Sequence, residues 1–326
     1  MNYPCLNWCF DAVEMNVMDK NVLLIAGGGT LGTATAEELL KLGCAVDVIC
    51  PEEKQSCHPR LTFIRDVVSE ELLLRLFAAK HYHGIVNFIH YNTLEEYIPV
   101  HTLLTAHTDH LLFLSSYRVY GDAQHPITEE APLLVDTVAA DVLSGETYAV
   151  PKTACERYMA ASDTHNWTVV RPVISFSQHR LDIVMRSGTE VVDAAREGRI
   201  LTLPAACRHL TAGLDWAGNT GKLIAHLLWK PGVCREAYTV SSGQNLTWEQ
   251  VANIYTDLLG ARFEWLDTDT YVRRNPTNPY GLYCDRLYDR AVDNRKILAA
   301  TGLTAADFLP IREGVIRELQ KLGVSL

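Results

Sequence analysis

Tyr148 and Lys152, four residues apart, are the pair in this sequence best suited to acid–base chemistry. On a helix, residues i and i+4 share a face, so the phenol and the ammonium would point the same way. A nearby cation favours the phenolate and lowers the pKa of a tyrosine towards neutrality. Such a phenol can exchange a proton with an alcohol or a carbonyl group. Taken alone, the spacing describes an ordinary pair on a helix surface equally well.

Two serines, Ser115 and Ser116, stand directly before the run Tyr-Arg-Val-Tyr-Gly at positions 117–121. They close an apolar segment typical of a strand, which would put their hydroxyls at the carboxyl edge of a parallel sheet, where ligands of such sheets bind. A serine there can hydrogen-bond a substrate oxygen beside Tyr148. The alternative is that the two hydroxyls only cap the end of the strand.

A glycine cluster follows an apolar, strand-like run, with Gly27, Gly29 and Gly32 in the spacing Gly-x-Gly-x-x-Gly. One glycine permits a sharp turn, one lets backbone N–H groups approach a pyrophosphate, and the last lets helix and strand pack closely. The N-terminus of the following helix adds free N–H groups and partial positive charge. The pattern predicts that this turn, with Thr30 and Leu31, binds a dinucleotide. A glycine-rich turn without a ligand is the alternative.

These residues need a scaffold, and the hydrophobic pattern predicts one in which strands and helices alternate. Such alternation indicates a parallel sheet with helices on both faces, the doubly wound α/β fold of Rossmann type. The expected strands cover residues 22–26, 45–50, 61–64, 84–89, 110–115 and 167–171. The expected helices between them cover about residues 31–42, 69–79, 93–108 and 146–162.

After Pro172 the predicted segments become shorter and less regular, which indicates a smaller C-terminal region that binds the substrate. The expected division is an extension at 1–20, a dinucleotide-binding domain at 21–172 and a substrate-binding region at 173–326. Within this last region the pattern predicts helices at about 189–197, 213–228 and 247–259, strands near 200–203, 237–240 and 263–266, an irregular polar stretch at 267–290, and closing helices.

Composition argues against several classes of partner. The formal net charge of −10 disfavours nucleic acid, because a surface that follows phosphates must be basic. No apolar run reaches the length of about 18 residues that a membrane span needs. The first twenty residues lack the features of a secretion signal, and the nine scattered cysteines are typical of reduced thiols in a cytoplasmic protein. Histidines crowd residues 81–110 without a metal-ligand spacing, so no metal site is predicted.

Taken together, the motifs resemble the extended branch of the short-chain dehydrogenase/reductase superfamily, the NAD(P)-dependent epimerase/dehydratase family, and within it an atypical sugar-epimerase-like subgroup. The resemblance covers about residues 21–325, and its parts come in the family's order. They are the glycine turn, Arg65-Asp66, the Ser-Ser-x-x-Val-Tyr-Gly run, Tyr148 and Lys152 with Glu156, Arg171-Pro172, the segment from Arg208 to Asp215, and the run from Val292 to Ile297.

The resemblance implies a role for each matched residue. Tyr148 is then the catalytic acid/base, Lys152 its partner that also holds the nicotinamide ribose, and Ser116 the residue that orients the substrate oxygen. The remaining residues implied by the resemblance are Asp66 for the adenine amino group with Val67 beside it, Phe88, Ile89 and His90 along the adenosine and nicotinamide-ribose path, and Arg208 for a substrate phosphate.

The activity implied is that of an NAD(P)-dependent epimerase or oxidoreductase, acting on a hydroxyl or keto group of a sugar or nucleotide-sugar. A dehydratase is less favoured because no acidic partner is evident beside Ser116. A non-catalytic dinucleotide sensor or scaffold of the same fold is the alternative. A homodimer is expected by the same resemblance.

Three departures from the family pattern bear on these expectations. Ala26 replaces the usual first glycine of the turn. Cys50 stands where an acidic residue would bind the adenosine ribose, so NAD is favoured only slightly over NADP; Glu52, Glu53 or Arg60 could take over that contact. Pro151 falls inside the catalytic helix, which must therefore start close to Tyr148 or bend.

Four arginines, at 273, 274, 286 and 290, could bind a diphosphate or form a solvated face.

Overall fold

Eleven strands are present in the computed structural model, which describes residues 19–178 and 180–326. Most of the expected extension, residues 1–18, therefore lies outside the described residues. The strands are β1 (Asn21–Ile25), β2 (Ala45–Cys50), β3 (Leu61–Arg65), β4 (Tyr82–Asn87), β5 (Thr108–Leu114), β6 (Trp167–Pro172), β7 (Ile174–Phe176), β8 (Ile200–Pro204), β9 (Leu214–Trp216), β10 (Ala237–Val240) and β11 (Arg262–Leu266).

Seven of these strands form one parallel sheet in the order β3-β2-β1-β4-β5-β6-β10. The helices that connect and flank the strands are α1 (Thr30–Lys41), α2 (Glu70–Ala79), α3 (Leu94–Ala106), α4 (Leu134–Thr137), α5 (Ala149–Ala161), α6 (Gly188–Glu197), α7 (Ala217–Leu227), α8 (Trp248–Leu259), α9 (Thr268–Arg274), α10 (Pro279–Gly281), α11 (Arg295–Thr301) and α12 (Ile311–Lys321). Separate apolar clusters cover the two faces of the sheet. The predicted Rossmann-type α/β fold is confirmed.

The turn after β1 explains why the glycines are needed. A Cβ on Gly32 would lie 2.1 Å from the carbonyl oxygen of Gly27, and one on Gly27 would lie 2.7 Å from Cβ of Leu24. A Cβ on Gly29, by contrast, would meet nothing within 4 Å. Two glycines therefore permit close packing of strand and helix, and the third borders open space. Ala26 takes the left-handed φ of 55° that favours glycine.

Strand β4 begins earlier and ends earlier than the expected 84–89. It begins at Tyr82, whose ring is buried and whose hydroxyl donates to Oδ2 of Asp47 at 2.6 Å. It ends at Asn87, whose Oδ1 accepts the backbone N–H of Ile89 at 3.1 Å. The chain therefore leaves the sheet at residue 88, and the segment up to His90 lies beyond the carboxyl edge.

The C-terminal half contributes directly to the central sheet. The expected strand 237–240 is β10, which pairs with β6 at the sheet edge. The expected helix 213–228 begins only at Ala217, because residues 214–216 form β9 and pair with β7. The sequence predicts an irregular stretch at 267–290. The structure instead has α9, α10 and a π-helical segment, Leu282–Arg286, within it. Helix α7 packs closely on α1, where a Cβ on Gly221 would lie 2.6 Å from the carbonyl carbon of Ala34.

The rest of the C-terminal half packs in a further hydrophobic cluster, to which the N-terminal half contributes Tyr117, Tyr120, Ile127 and Ala131. Strands β8 and β11 form a second parallel pair beside α6 and α8. Trp248 and Tyr255 of α8 are fully buried there. Among the described residues, no helix is long and apolar enough to cross a membrane.

Candidate active site

A cavity of about 540 Å³ opens at the carboxyl ends of the central strands. It lies where ligands of doubly wound sheets bind. Its wall combines the start of α1, the end of β5, Tyr148, the β6–β7 segment and residues of the C-terminal half. The residues that line it include Thr30, Leu31, Ser115, Ser116, Tyr117, Arg118, Tyr148, Arg180, Asp285 and Arg286.

Tyr148 stands at the N-cap of α5, whose first residue is Ala149. Pro151 therefore falls in the first turn, where its missing N–H and fixed φ do no harm, and the predicted helix start close to Tyr148 is confirmed. The free N–H groups at this helix end are bound by a side chain. Oε1 of Glu146 accepts the backbone N–H of Tyr148 at 2.6 Å and that of Ala149 at 2.8 Å.

Lys152 lies one turn further along α5 and only 3% of it is exposed. Its Nζ is 5.6 Å from the centre of the Tyr148 ring and donates to the carbonyl oxygen of Leu114 at 2.6 Å. Burial lowers the pKa of Lys152 to about 8. The ammonium thus lies beside the Tyr148 ring and is anchored to the end of β5.

Two other side chains lie against the Tyr148 ring. The His90 ring stacks on it, with the ring centres 5.2 Å apart and the planes 24° from parallel. The Arg118 guanidinium carbon lies 4.9 Å from the same ring centre. His90 Nε2 is 2.9 Å from the carbonyl oxygen of Thr147, and desolvation by burial lowers the His90 pKa. The neutral ring therefore donates from Nε2, which leaves Nδ1 as an acceptor.

The two serines have different surroundings. Oγ of Ser116 accepts the backbone N–H of Arg118 at 3.2 Å, the strand-end contact considered as an alternative, yet Ser116 also lines the cavity. Oγ of Ser115 is buried and has no hydrogen-bond partner among the described residues. As an acceptor in the turn, Ser116 still has its hydroxyl hydrogen to offer to another oxygen.

Unpartnered polar atoms concentrate around Tyr148. Four buried side-chain nitrogen or oxygen atoms lack a hydrogen-bond partner within the described residues: His90 Nδ1, Ser115 Oγ, Arg118 Nε and Arg290 Nε. The first three belong to residues that line the cavity or contact the Tyr148 ring. Each unsatisfied buried group costs about 1–3 kcal/mol. The two arginine nitrogens lie 3.6 and 3.3 Å from oxygens of Asp285, and a bound polar ligand would supply hydrogen-bond partners for His90 Nδ1 and Ser115 Oγ.

Two carboxylates at the site escaped the sequence analysis. One is Glu146, already described. The other is Asp285, whose Oδ1 accepts the Tyr117 hydroxyl at 2.6 Å. Burial opposes ionisation of Asp285, but the guanidinium groups of Arg286, Arg290 and Arg118 outweigh it and hold its pKa below the ordinary value. An acidic group, ionised and already bound to arginines, therefore lines the same cavity as Ser116.

Arg208 lies elsewhere, outside the residues that line the cavity. Its Nε donates to Oε1 of Glu249 at 2.9 Å, and its guanidinium lies over the Trp265 ring. Arg273 and Arg274 are exposed on α9, whereas Arg286 and Arg290 are buried around Asp285. The arginines that do reach the cavity are Arg118, Arg180 and Arg286.

The residues expected at the adenosine end follow their strands as predicted. Asp66 comes directly after β3, and its Oδ1 accepts the N–H of Val67, which is 72% exposed. Of the three candidates for the ribose contact, Glu53 lies 3.2 Å from Arg65 and Arg60 2.9 Å from Asp19. Glu52 remains next to the glycine turn. Its Oε2 would be 3.0 Å from a Cβ on Gly28.

A group of possible metal ligands lies at the opposite, amino edge of the sheet. Side-chain atoms of His81, His83 and Asp109 all lie within 4.8 Å of one another. Two of these side chains already have partners: His81 Nε2 is 2.9 Å from Asp109 Oδ1, and His83 Nδ1 accepts the N–H of Asn21 at 3.1 Å. The group lies away from the cavity.

Comparison with known proteins gives the same picture of the fold. The sequence model of the NAD dependent epimerase/dehydratase family matches residues 23–216. An epimerase from Methanothermobacter thermautotrophicus is 15% identical, with a TM-score of 0.70 over 94% of this chain and 93% of that one. The Bordetella bronchiseptica enzyme WbmG, solved with NAD and UDP, is 19% identical, with a TM-score of 0.69 over 93% and 95%.

A third similar structure is MoeE5 in complex with UDP-glucuronic acid and NAD. It is 16% identical and has a TM-score of 0.69 over 94% of this chain and all of that one (100%). No curated protein sequence matches the chain.

Proposed function

This chain belongs to the NAD dependent epimerase/dehydratase family, and we propose that it binds NAD and exchanges hydride between the cofactor and a hydroxyl or keto group of a nucleotide-sugar. One observation supports the proposal: Tyr148 and Ser116 line a cavity whose wall also includes Thr30 and Leu31 at the start of α1, and Nζ of Lys152 lies 5.6 Å from the centre of the Tyr148 ring. This arrangement would bring the acid/base and a dinucleotide held at the glycine turn into one site.

The glycine turn suits a pyrophosphate. Gly29 borders open space, and the N-terminus of α1 receives no hydrogen bond from a capping side chain. Its N–H groups and the helix dipole would hold the phosphates. The unpartnered Ser115 Oγ and His90 Nδ1 support a polar ligand that extends from this turn to Tyr148.

Bound NAD would supply the hydride acceptor and donor. The chain's own residues would handle the proton and the position of the substrate. Tyr148 takes a proton from the substrate hydroxyl or returns one to the carbonyl, Lys152 favours the charged form of the phenol, and Ser116 donates to the substrate oxygen. Leu114 holds Lys152 in place through its carbonyl oxygen.

The substrate class is inferred from both the cavity and the similar structures. WbmG was solved with UDP and MoeE5 with UDP-glucuronic acid. In this chain Arg180 and Arg286 line the cavity, and although each already pairs with a carboxylate, Asp182 and Asp285 respectively, their remaining N–H groups would bind a nucleotide diphosphate. Because Asp285 is ionised and bound to arginines, we favour epimerisation or oxidoreduction over dehydration, which needs a free acid.

The test starts with mass spectrometry of the small molecules released from purified, denatured protein. Retained NAD favours an epimerase, which regenerates its cofactor, and an empty site favours a dehydrogenase that exchanges it. The protein is then incubated with NAD and a panel of UDP-sugars, and the products are followed by NMR. Conversion is expected for at least one of them.

Tyr148→Phe serves as the matched variant. It is expected to keep NAD binding and to lower turnover by about 100-fold or more, the scale of a lost acid/base. Turnover unchanged in this variant would remove Tyr148 from the mechanism. NAD binding without turnover of any sugar nucleotide would favour the non-catalytic alternative.

A further inference from the structure

Arg118 has no part in the proposed reaction, although it lies against the residue at its centre. It follows β5 in the short 3-10 turn Tyr117–Val119 and lines the cavity. Its guanidinium carbon lies 4.9 Å from the centre of the Tyr148 ring. A cation at this distance from an aromatic face is attracted by the ring, more strongly where water is excluded. The side chain of Arg118 is only 19% exposed.

The position of Arg118 is fixed by two carboxylates. Its Nη2 donates to Oε2 of Glu146 at 2.9 Å, and its Nε lies 3.6 Å from Oδ2 of Asp285. The other oxygen of Glu146 accepts the backbone N–H of Tyr148. Glu146 therefore links the guanidinium to the backbone of Tyr148, over whose ring it lies.

We propose that Arg118 is a positioning residue for the acid/base: its guanidinium holds the Tyr148 ring and stabilises the phenolate form. The proposal rests on the proposed function, in which Tyr148 is the acid/base. Arg118 would then be a second cation beside Tyr148, in addition to Lys152, which belongs to the helix that Tyr148 caps.

The charged and titratable groups around Tyr148 come from several elements. Lys152 belongs to α5, Glu146 to the segment before it, Arg118 to the turn after β5, and His90 to the segment after β4. Behind Arg118 lies Asp285, which is itself surrounded by Arg286 and Arg290.

The two cations differ in how they respond to pH. Burial lowers the pKa of Lys152 to about 8, so this ammonium begins to lose its charge in mildly alkaline solution. A guanidinium keeps its charge throughout the physiological range. An opposite charge at about 4–6 Å favours ionisation by about 1–3 pH units. Glu146 opposes part of this effect, and without Arg118 its negative charge would act on the phenol alone.

The experiment follows the phenol itself and needs no substrate. Tyrosine labelled with ¹³C at Cζ is incorporated into the full chain, the Tyr148 signal is identified by its loss in Tyr148→Phe, and the phenol-to-phenolate transition is followed by NMR against pH, with and without NAD. Arg118→Gln removes the charge but keeps an amide that can donate to Glu146. The matched control is Arg157→Gln, which removes an exposed arginine of α5 that pairs with Asp136.

The Tyr148 transition is expected at least one pH unit higher in Arg118→Gln than in the wild type, and unchanged in Arg157→Gln. Arg118→Lys, which restores the charge without the flat face, is expected between the two. A transition at the same pH in Arg118→Gln and the wild type would overturn the proposal. Should Arg118→Gln not fold, Arg118→Lys decides: a transition identical to that of the wild type overturns the role of the guanidinium over the ring.

Failure of this inference and failure of the proposed function give different results. If the transition shifts as expected but no UDP-sugar is converted, the electrostatic role of Arg118 stands and the proposed function fails. If sugars are converted and Tyr148→Phe is inactive, yet Arg118→Gln leaves the transition unmoved, the proposed function stands and Arg118 has no such role.

Discussion

Tyr148 depends for its position on the residue two places before it. Glu146 accepts hydrogen bonds from the first backbone N–H groups of α5, and it also accepts one from the Arg118 guanidinium, which lies over the Tyr148 ring. An acidic residue at a helix N-terminus is favoured by the helix dipole as well as by these hydrogen bonds. A single buried carboxylate thus fixes both the start of the helix and the surroundings of the phenol.

At the other end of the candidate site, single residues after β2 bear on the choice between NAD and NADP. Cys50 is buried and cannot accept from a ribose as a carboxylate would. Glu52 lies against Gly28 of the turn, and Lys54 donates to the Gly28 carbonyl oxygen, which holds this loop in place. A carboxylate there would accept from the ribose 2′-hydroxyl and repel a 2′-phosphate.

We therefore expect Glu52→Gln to bind NAD more weakly and NADP more tightly than the wild type does. The dissociation constant of NADP divided by that of NAD should fall by about tenfold or more, since a hydrogen bond to a charged group contributes about 1.5–3 kcal/mol. Titration of both nucleotides by calorimetry measures the ratio. The control is Glu53→Gln, because the Glu53 carboxylate is paired with Arg65. An equal ratio in the two variants would show that Glu52 does not face the ribose.

Between elements, a buried ion pair joins α5, the helix that begins at Tyr148, to the sheet. Glu156 of α5 and Arg171 of β6 form a two-pronged contact, with Nε to Oε1 at 3.1 Å and Nη2 to Oε2 at 2.5 Å. The side chains are only 6% and 8% exposed. The Arg171 guanidinium also donates to the hydroxyl of Tyr120, so three parts of the scaffold meet here.

Glu156→Gln is expected to lower the free energy of unfolding by about 3 kcal/mol or more, because it leaves the Arg171 charge buried without its partner. Asp136→Asn, which removes the exposed partner of Arg157, should cost less than about 1 kcal/mol. Urea unfolding of both variants measures the difference. Similar losses in the two variants would mean that the α5–β6 pair contributes no more than a surface pair.

For the molecule as a whole, both halves of the chain contribute residues to the same hydrophobic clusters. Helix α7, from the C-terminal half, packs on α1, which begins at the glycine turn. Across this contact Nε2 of His226 is 3.0 Å from Oε1 of Glu38. The hydrogen bond from His226 lowers the Glu38 pKa to about 2, helped by Lys41 and opposed by burial.

This depressed pKa makes stability depend on pH in a defined direction. The ionised Glu38 contributes fully to the free energy of unfolding above the pKa of an unfolded glutamate, about 4.3. This contribution is lost as pH falls towards about 2. At pH 6 we expect Glu38→Gln to be less stable than the wild type by about 1–2 kcal/mol, and the gap to narrow between about pH 5 and pH 3. Chemical unfolding at several pH values measures the gap. Glu37→Gln, on the exposed side of α1, is the control. A gap that stays constant over this range would exclude Glu38 ionisation as its cause.

Much of this protein could be predicted from sequence because it depends on local rules. The alternation of apolar runs and amphipathic segments defines β1 to β6 and the helices between them. Pro151 defines where α5 begins, since a proline is tolerated only in the first turn. The spacing of the glycine turn and of Tyr148 and Lys152 identifies the family.

What the sequence left open depends on contacts between residues far apart in the chain. Nothing in the local pattern of 237–240 distinguishes an edge strand of the central sheet from a strand of a separate region; pairing with β6 decides it. Likewise, the sequence around a charged residue does not indicate which residue it will pair with. Only the tertiary structure shows that Asp285 and Arg118 lie at the cavity and that Arg208 pairs with Glu249. The sequence by itself determined the elements and the chemistry carried at their ends, because these follow from neighbouring residues. The tertiary structure decided which charges surround the phenol, because that depends on how distant segments pack.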